Sequence, residues 1–337
     1  MDAIAETVFK DLSPTDDVAE NPSLLTVVFE ISPASWYSLR NQISIQDAIK
    51  ALVVFLNTHL SLNNSNQVAF IAALPAGTRM LYPNVARSDS EPPLVNAGMY
   101  RHFRLVDDTV LREINRELEQ LLALGALPTA FSLSGALLLA LTYTNRMLHV
   151  DLSISTTTAS AISSTTSAAA MSGRILAVTA NDAHDNNYIS IMNSMFAAQK
   201  MLVPIDVVKL GTRDSPYMQQ AADATNGVYL HNREPRGLIQ TLSTAYFVEP
   251  CLRGLVILPT SANVDYKASC FVTGRPVDIG YVCSVCLCIL STIPELDTCP
   301  VCKSKFDGAM VARLRQGSVL ARKKRKVGEK QKEKQED

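Results

Sequence analysis

Five of the seven cysteines in this chain lie between residues 281 and 306, in the stretch YVCSVCLCILSTIPELDTCPVCKSKF. Cys283 and Cys286 form one C-x-x-C pair, Cys299 and Cys302 form a second, and twelve residues separate the two pairs. Two such turns can bring four thiolates onto a tetrahedral zinc ion at roughly 2.3 Å, because the spacer lets the second turn fold back over the first. The spacing predicts one structural zinc ion with these four ligands; the alternative is four buried free cysteines.

The remaining cysteines are interpreted as packing residues. Cys288 follows the first pair closely, and its use with Cys286 would give a C-x-C chelate, which is less usual than C-x-x-C. We therefore expect Cys288 to be a small buried hydrophobic side chain, and the same interpretation applies to Cys251 and Cys270.

The chemistry open to such a metal site is limited. Four cysteine ligands leave no free coordination position, so the ion cannot activate water as a catalytic zinc does. A RING-like ubiquitin ligase component would need eight ligands for two zinc ions, and no histidine occurs between residues 232 and 337. A zinc ribbon that binds nucleic acid stays an alternative, although Lys303 and Lys305 are the only basic residues of the stretch, so attraction to phosphate should be weak.

Motifs for other chemistry are sparse. The sequence contains neither G-x-G-x-x-G nor G-x-x-x-x-G-K-[ST], and its five histidines form no motif. In α/β sheets, ligands bind at the carboxyl ends of the strands, so the end of the first predicted strand is a further place to search. It reads FEISPAS, with Glu30, Ser32 and Ala34. No catalytic residue is assigned.

Composition and the chain start favour a folded intracellular protein. Apolar residues make up 47% of the chain and charged residues 19%, so a large core is expected. No run of eighteen apolar residues occurs, and the start MDAIAETVFKDLSPTDD lacks the basic and apolar regions of a signal peptide. In a reducing compartment, an odd number of cysteines with two C-x-x-C pairs indicates metal binding rather than disulfides.

Basic charge is concentrated at the end of the chain. The formal net charge is −1, but residues 313–337 carry ten Lys/Arg against four Asp/Glu, which leaves about −7 for the rest. This tail is predicted to be disordered, and its compact basic block is typical of a nuclear-import signal. The residues of that predicted signal are Arg322, Lys323, Lys324, Arg325 and Lys326.

The segments from residue 24 to 250 alternate between strand and helix patterns. Apolar β-branched runs predict strands, and apolar residues at spacings of three and four predict amphipathic helices, the first of them capped by Ser44. Short loops between such elements indicate β-α-β crossovers and a doubly wound, mostly parallel sheet. The predicted strands are 24–31, 67–74, 78–83, 174–180, 204–210 and the segment VYLH, and the predicted helices begin at Ser44, Asp107, Ser132, Asn187, Ser215 and Arg236.

These patterns predict an α/β domain, a small zinc module and two flexible ends. One segment inside the first domain, 151–172, has 17 Ser, Thr or Ala in 22 positions and is predicted to be a flexible surface insertion. The predicted boundaries are 1–19 for a flexible N-terminus, 20–250 for the α/β domain, 264–312 for the four-cysteine zinc module and 313–337 for the tail.

Several stretches resemble one known family. SLLTVVFEI, MYRHFRLVDDTV, PIDVVKLG, DATNGVYLH and above all GYVCSVCLCILSTIP with the later CPVC are similar to the smaller von Willebrand A-like, zinc-bearing core subunit of general transcription factor IIH (TFIIH). The resemblance runs from about residue 23 to 312. It implies a von Willebrand A-like domain followed by a zinc module, without catalytic activity, in the nucleus.

The resemblance also implies a partner and a lost metal site. In that family the subunit docks onto the larger von Willebrand A-like and zinc-bearing subunit of TFIIH, which regulates the helicase of nucleotide excision repair. The same complex also serves RNA polymerase II initiation. Contact with DNA would be indirect or weak, and no contact with a membrane is expected. Metal-binding A domains end their first strand in Asp-x-Ser-x-Ser, whereas this chain has Glu30, Ser32 and Ala34. We therefore expect no Mg²⁺ there, or only weak binding. Asp182 is interpreted as a capping or loop residue, and the alternative is that it joins a residual ion site.

Overall fold

The computed structural model describes residues 22–75, 77–84, 100–123, 133–159, 171–181, 188–253, 256, 264–273, 276–294 and 297–315. The chain divides into two compact units, Met1–Tyr266 and Lys267–Asp337. The predicted flexible N-terminus, Asp182 and the predicted nuclear-import signal lie outside the described residues.

Within the described part of the first unit, six strands form one sheet. Their order is β3-β2-β1-β4-β5-β6, and every neighbouring pair is parallel except β2 and β3. All of β1 is buried, as expected for a central strand with both faces covered. The strands are β1 (Ser23–Glu30), β2 (Gln67–Leu74), β3 (Gly77–Tyr82), β4 (Ser172–Thr179), β5 (Ile205–Lys209) and β6 (Tyr229–His231).

Helices pack on both faces of this sheet. Alternate β1 side chains point to opposite faces, so Val27 joins a core with α2, α3 and α7, and Val28 joins a core with α4, α5 and α6. No described helix is long and apolar enough to cross a membrane. The helices are α1 (Pro33–Leu39), α2 (Ile45–Leu62), α3 (Arg101–Ala123), α4 (Leu133–Ala159), α5 (Tyr188–Lys200), α6 (Pro216–Ala224) and α7 (Leu238–Thr241).

Several local predictions differ from the structure. Helix α4 continues to Ala159, so the first nine residues of the predicted flexible insertion are helical; residues 160–170 lie outside the described part. Extending a helix that already exists costs little, because each added residue contributes a hydrogen bond without a new nucleation step. The predicted helix 236–248 is instead a short 3₁₀ turn, the four-residue α7 and a π-helical turn at Leu242–Tyr246.

A buried polar network closes the amino-terminal edge of the sheet. The Arg174 side chain donates to the Tyr246 carbonyl at 2.7 Å, and its other terminal nitrogen lies 3.4 Å from His59 Nδ1. His59 is fully buried, and its Nε2 lies 3.3 Å from the hydroxyl of Ser23. Burial, and next the charge of Arg174, lower the pKa of His59 from 6.5 to about 4.

This pKa shift predicts a loss of stability in mild acid. Between pH 6.5 and about 4 the unfolded chain binds a proton at His59 and the folded chain does not, so the free energy of unfolding falls as the pH decreases. The fall should be about 3 kcal/mol across that window. Urea unfolding at several pH values would measure it, and His59→Gln should flatten the slope. The same change at the exposed His102 is the control, and an equal slope in His59→Gln would contradict the prediction.

The second unit consists of short elements that position the cysteines. Strands β7 (Tyr281–Val282) and β8 (Ile289–Leu290) are antiparallel and flank the first C-x-x-C turn. A single bridge between Thr298 and Lys305 flanks the second, and α8 (Gly308–Arg315) follows. The buried residues of this unit include Leu290 and three cysteines, with Phe306 packed against them, so its core is small.

Candidate metal centre

The first C-x-x-C turn folds as a tight knuckle after β7. The Cys283 carbonyl accepts the Leu287 N–H at 2.9 Å, and the Cys283 N–H donates to the Cys288 carbonyl at 3.0 Å. Leu287 lies in the left-handed region, with φ of 59°. This conformation is uncommon for leucine and reverses the chain directly after the second cysteine.

The second C-x-x-C turn repeats the same conformation. The Cys299 carbonyl accepts the Lys303 N–H at 3.0 Å, the Cys299 N–H donates to the Ser304 carbonyl at 2.9 Å, and Lys303 has φ of 59°. Position by position, Cys283, Cys286, Leu287 and Cys288 correspond to Cys299, Cys302, Lys303 and Ser304. The two turns are therefore structural copies of one knuckle.

Backbone N–H groups stabilise the thiolate of the first cysteine in each knuckle. Those of Cys286 and Val285 donate to the Cys283 sulfur and lower its pKa from 9.0 to about 6. Backbone donation from Cys302 lowers the pKa of Cys299 in the same way. A thiolate is the form that binds a metal, so the knuckle backbone favours the ligand state of both side chains.

The two knuckles face each other through their sulfur atoms. Cys283 Sγ lies 3.8 Å from Cys302 Sγ, and Cys286 Sγ lies 3.5 Å from Cys299 Sγ. Four sulfurs bound tetrahedrally at 2.3 Å from an ion would be separated by about 3.8 Å. Among the described residues, the sulfurs close enough together to hold a metal ion are those of Cys283, Cys286, Cys288 and Cys299, without that of Cys302. A ligand set made only of thiolates suits a soft ion.

A fifth sulfur belongs to the same cluster. Cys288 is buried, and its Sγ lies 3.4 Å from that of Cys299. The sulfurs of Cys283, Cys286, Cys288 and Cys299 all lie within 4.8 Å of one another. The interpretation of Cys288 as a packing residue missed this contact, because the sequence spacing contains no information on how closely the opposite knuckle approaches.

The end of β1 forms a second cluster of polar groups, around the buried Glu30. Its Oε1 accepts the Ser35 hydroxyl at 3.1 Å. Its Oε2 accepts the Thr179 hydroxyl at 2.5 Å and the backbone N–H groups of Ala180 and Asn181 at 2.8 and 3.0 Å. Burial raises the pKa of Glu30, and these hydrogen bonds oppose the rise. Both carboxyl oxygens thus bind protein donors, and they tie the end of β4 to the start of α1.

Comparison with known proteins identifies the family. Residues 22–303 match the family described as transcription factor Tfb4, a span that includes the sheet and both C-x-x-C pairs. The chain belongs to the Tfb4 family.

Relatives extend the Tfb4 match over almost the whole chain. The protein named General transcription and DNA repair factor IIH subunit TFB4 of Debaryomyces hansenii is 53% identical over 372 residues, covering 97% of this chain and 96% of that protein. Its namesake in Saccharomyces cerevisiae is 40% identical over 350 residues, covering 97% and 98%. The family therefore shares both units of this chain.

A solved structure supports the same family fold. The crystal structure of the TFIIH p34 N-terminal domain is 30% identical to this chain, with a TM-score of 0.54, and covers 66% of this chain and 97% of that one. The predicted fold class is confirmed for the described residues as a doubly wound, mostly parallel sheet, followed by a small module with a cysteine cluster.

Proposed function

We propose that this chain is a non-catalytic structural subunit of the TFIIH core that acts in nucleotide excision repair and RNA polymerase II transcription initiation in the nucleus. Its partner is the larger von Willebrand A-like and zinc-bearing subunit that regulates the repair helicase. The names of its relatives, which describe subunits of factor IIH, support this function. The basic block Arg322–Lys326 serves as the nuclear-import signal.

The cysteine cluster holds one structural Zn²⁺. Its ligands are Cys283, Cys286, Cys299 and Cys302, the equivalent positions of the two knuckles. The repeated knuckle geometry and the sulfur distances of 3.5 and 3.8 Å support this ligand set. Zinc supplies a crosslink between the knuckles and no reactive position, so the module acts by its shape.

The Glu30 site works without Mg²⁺. Magnesium requires near-octahedral oxygen ligands and retains several waters, whereas both Glu30 oxygens already accept hydrogen bonds from protein groups. The hydrogen bonds that Glu30 accepts, rather than an ion, hold the end of β1 to the end of β4 and the start of α1. The absence of the usual motif, with Ala34 at its last position, supports this view.

The observation that carries the docking proposal is an exposed apolar surface beside the first knuckle. We name it the docking surface; it consists of Ile279, Val282, Val285 and Leu287, which are 90%, 60%, 67% and 71% exposed. Exposed large apolar side chains that are close in sequence around one knuckle favour a protein contact. Basic charge near the second knuckle is reduced, because Arg315 pairs with Asp297 at 2.7 Å, which disfavours binding to phosphate.

A capture experiment with a charge inserted into the docking surface tests this function. Leu287→Asp in the full chain should retain its metal, since aspartate tolerates a positive φ better than leucine does, and should bind the purified larger subunit about tenfold more weakly. Lys303→Asp places the same residue at the equivalent position of the other knuckle and should bind like the unmodified chain. Salt-sensitive retention of DNA without capture of the larger subunit would overturn the proposal in favour of a nucleic-acid-binding zinc ribbon.

A further inference from the structure

The residue that follows each knuckle occupies an equivalent place in the two copies. It is Cys288 in the first knuckle and Ser304 in the second, each five positions after the first cysteine. In both, the backbone carbonyl accepts the N–H of that first cysteine, at 3.0 and 2.9 Å. The shared bond places the backbones of both residues at the same position relative to their own knuckle.

Each of these side chains reaches the sulfur cluster from its own side. The Ser304 hydroxyl lies 3.0 Å from Cys302 Sγ in its own knuckle and 3.7 Å from Cys283 Sγ in the opposite one. Cys288 Sγ lies 3.4 Å from Cys299 Sγ in the opposite knuckle. Both side chains therefore contact the first cysteine of the other knuckle, and both carry a hydrogen that they can donate to sulfur.

We propose that Cys288 is a positioning residue rather than a ligand: its neutral thiol donates a hydrogen bond to the Cys299 thiolate, as the single hydroxyl hydrogen of Ser304 is donated to that of Cys302. The inference rests on the proposed zinc site. Four thiolates around one divalent ion leave an excess of two negative charges in a partly buried cluster, which donors around the sulfurs stabilise.

The close approach of Cys288 to three other sulfurs makes it a competitor of Cys302 for the metal. The knuckle geometry decides between them. Cys302 occupies the position that Cys286 occupies in the first knuckle, whereas Cys288 occupies the position of a serine, which is not a usual zinc ligand. The proposed site thus has two pairs of ligands and one pair of donors.

Four variants of the full chain separate a donor from a ligand. Cobalt-substituted protein should show an unchanged four-thiolate absorption spectrum in Cys288→Ser and Cys288→Ala, and an altered one in Cys302→Ser. Transfer of zinc to a chromogenic chelator should be about tenfold faster in Cys288→Ala and in Ser304→Ala than in the unmodified chain. Cys288→Ser should release zinc at close to the original rate, because its hydroxyl restores the donor.

Ser291→Ala is the matched control. It removes a hydroxyl that lies 3.2 Å from the sulfur of Cys270, which is not one of the five cluster cysteines, so zinc release should not change. Equal rates of zinc release from Cys288→Ser and Cys288→Ala would overturn the inference. An altered cobalt spectrum in Cys288→Ser, together with an unchanged spectrum in Cys302→Ser, would also overturn it. An unmodified chain that binds no zinc would instead refute the zinc site itself.

Discussion

Replacement of Cys299 by serine is expected to abolish stoichiometric zinc binding and to unfold the second unit, while the α/β unit stays folded. Cys299 is buried, and its sulfur contacts those of Cys286 and Cys288 at 3.5 and 3.4 Å. The core around it is too small to fold without support. In zinc-finger peptides the metal contributes about 10–16 kcal/mol, so its loss exceeds any stability this unit has by itself.

Zinc content and amide hydrogen exchange of the purified variant would measure this effect. Exchange should become fast between residues 267 and 315 and stay slow in β1 and β4. Cys270→Ser is the control, because Cys270 is buried in the same unit but is not one of the five cluster cysteines. Full zinc occupancy in Cys299→Ser would contradict the ligand assignment.

The second large effect is expected at Glu30. Glu30→Ala leaves the buried donors of Thr179 and Ala180 without their acceptor, and each stranded donor costs about 1–3 kcal/mol. The free energy of unfolding of the α/β unit should therefore fall by about 2 to 6 kcal/mol. Urea unfolding followed by far-ultraviolet circular dichroism would measure it.

Glu30→Gln is the matched variant for this site. It keeps the length of the side chain and one acceptor oxygen, so it should lose less stability than Glu30→Ala. Addition of Mg²⁺ should leave the unfolding midpoint of the unmodified chain unchanged, because an ion that bound the folded state would raise it. A midpoint that rises with Mg²⁺ concentration would show that Glu30 retains a metal site.

Elements with strong local patterns were predictable from the sequence. Helix α2 begins where its signals place it: Ser44 accepts the Asp47 N–H at 3.1 Å and is the N-cap. The first predicted strand, 24–31, differs from β1 by one residue at each end. Such features follow from neighbours in sequence, whose spacing already contains the periodicity of the element.

Features that depend on distant residues were not predictable. The predicted helix at 236–248 is divided into short turns. There the Arg174 side chain donates a hydrogen bond to the Tyr246 carbonyl, and the Tyr246 hydroxyl donates one to the Val207 carbonyl. Helix α1, which follows directly after β1, was also missed. Its seven residues, Pro33–Leu39, are too few for a periodic pattern, and the Trp36 ring N–H donates a hydrogen bond to the Glu30 carbonyl.

The candidate metal centre also has features that follow from neighbours in sequence and features that depend on distant residues. The two C-x-x-C pairs and the spacer between them are local patterns, so the sequence predicted the two turns that the structure contains. The equivalence of Cys288 and Ser304 could not be predicted, because it needs the backbone bonds of both knuckles. The partners of Glu30 include Thr179, which is 149 positions away, and the sequence contained no signal for them.

Native mass spectrometry of this chain mixed with the purified larger subunit tests the central claim most directly. We expect an ion series for a complex with one copy of each protein, and a series for the free chain that carries one zinc ion. If the mixture at micromolar concentration gives ion series only for the two separate proteins, although this chain carries its zinc ion, the result would contradict the claim that this chain is a docking subunit.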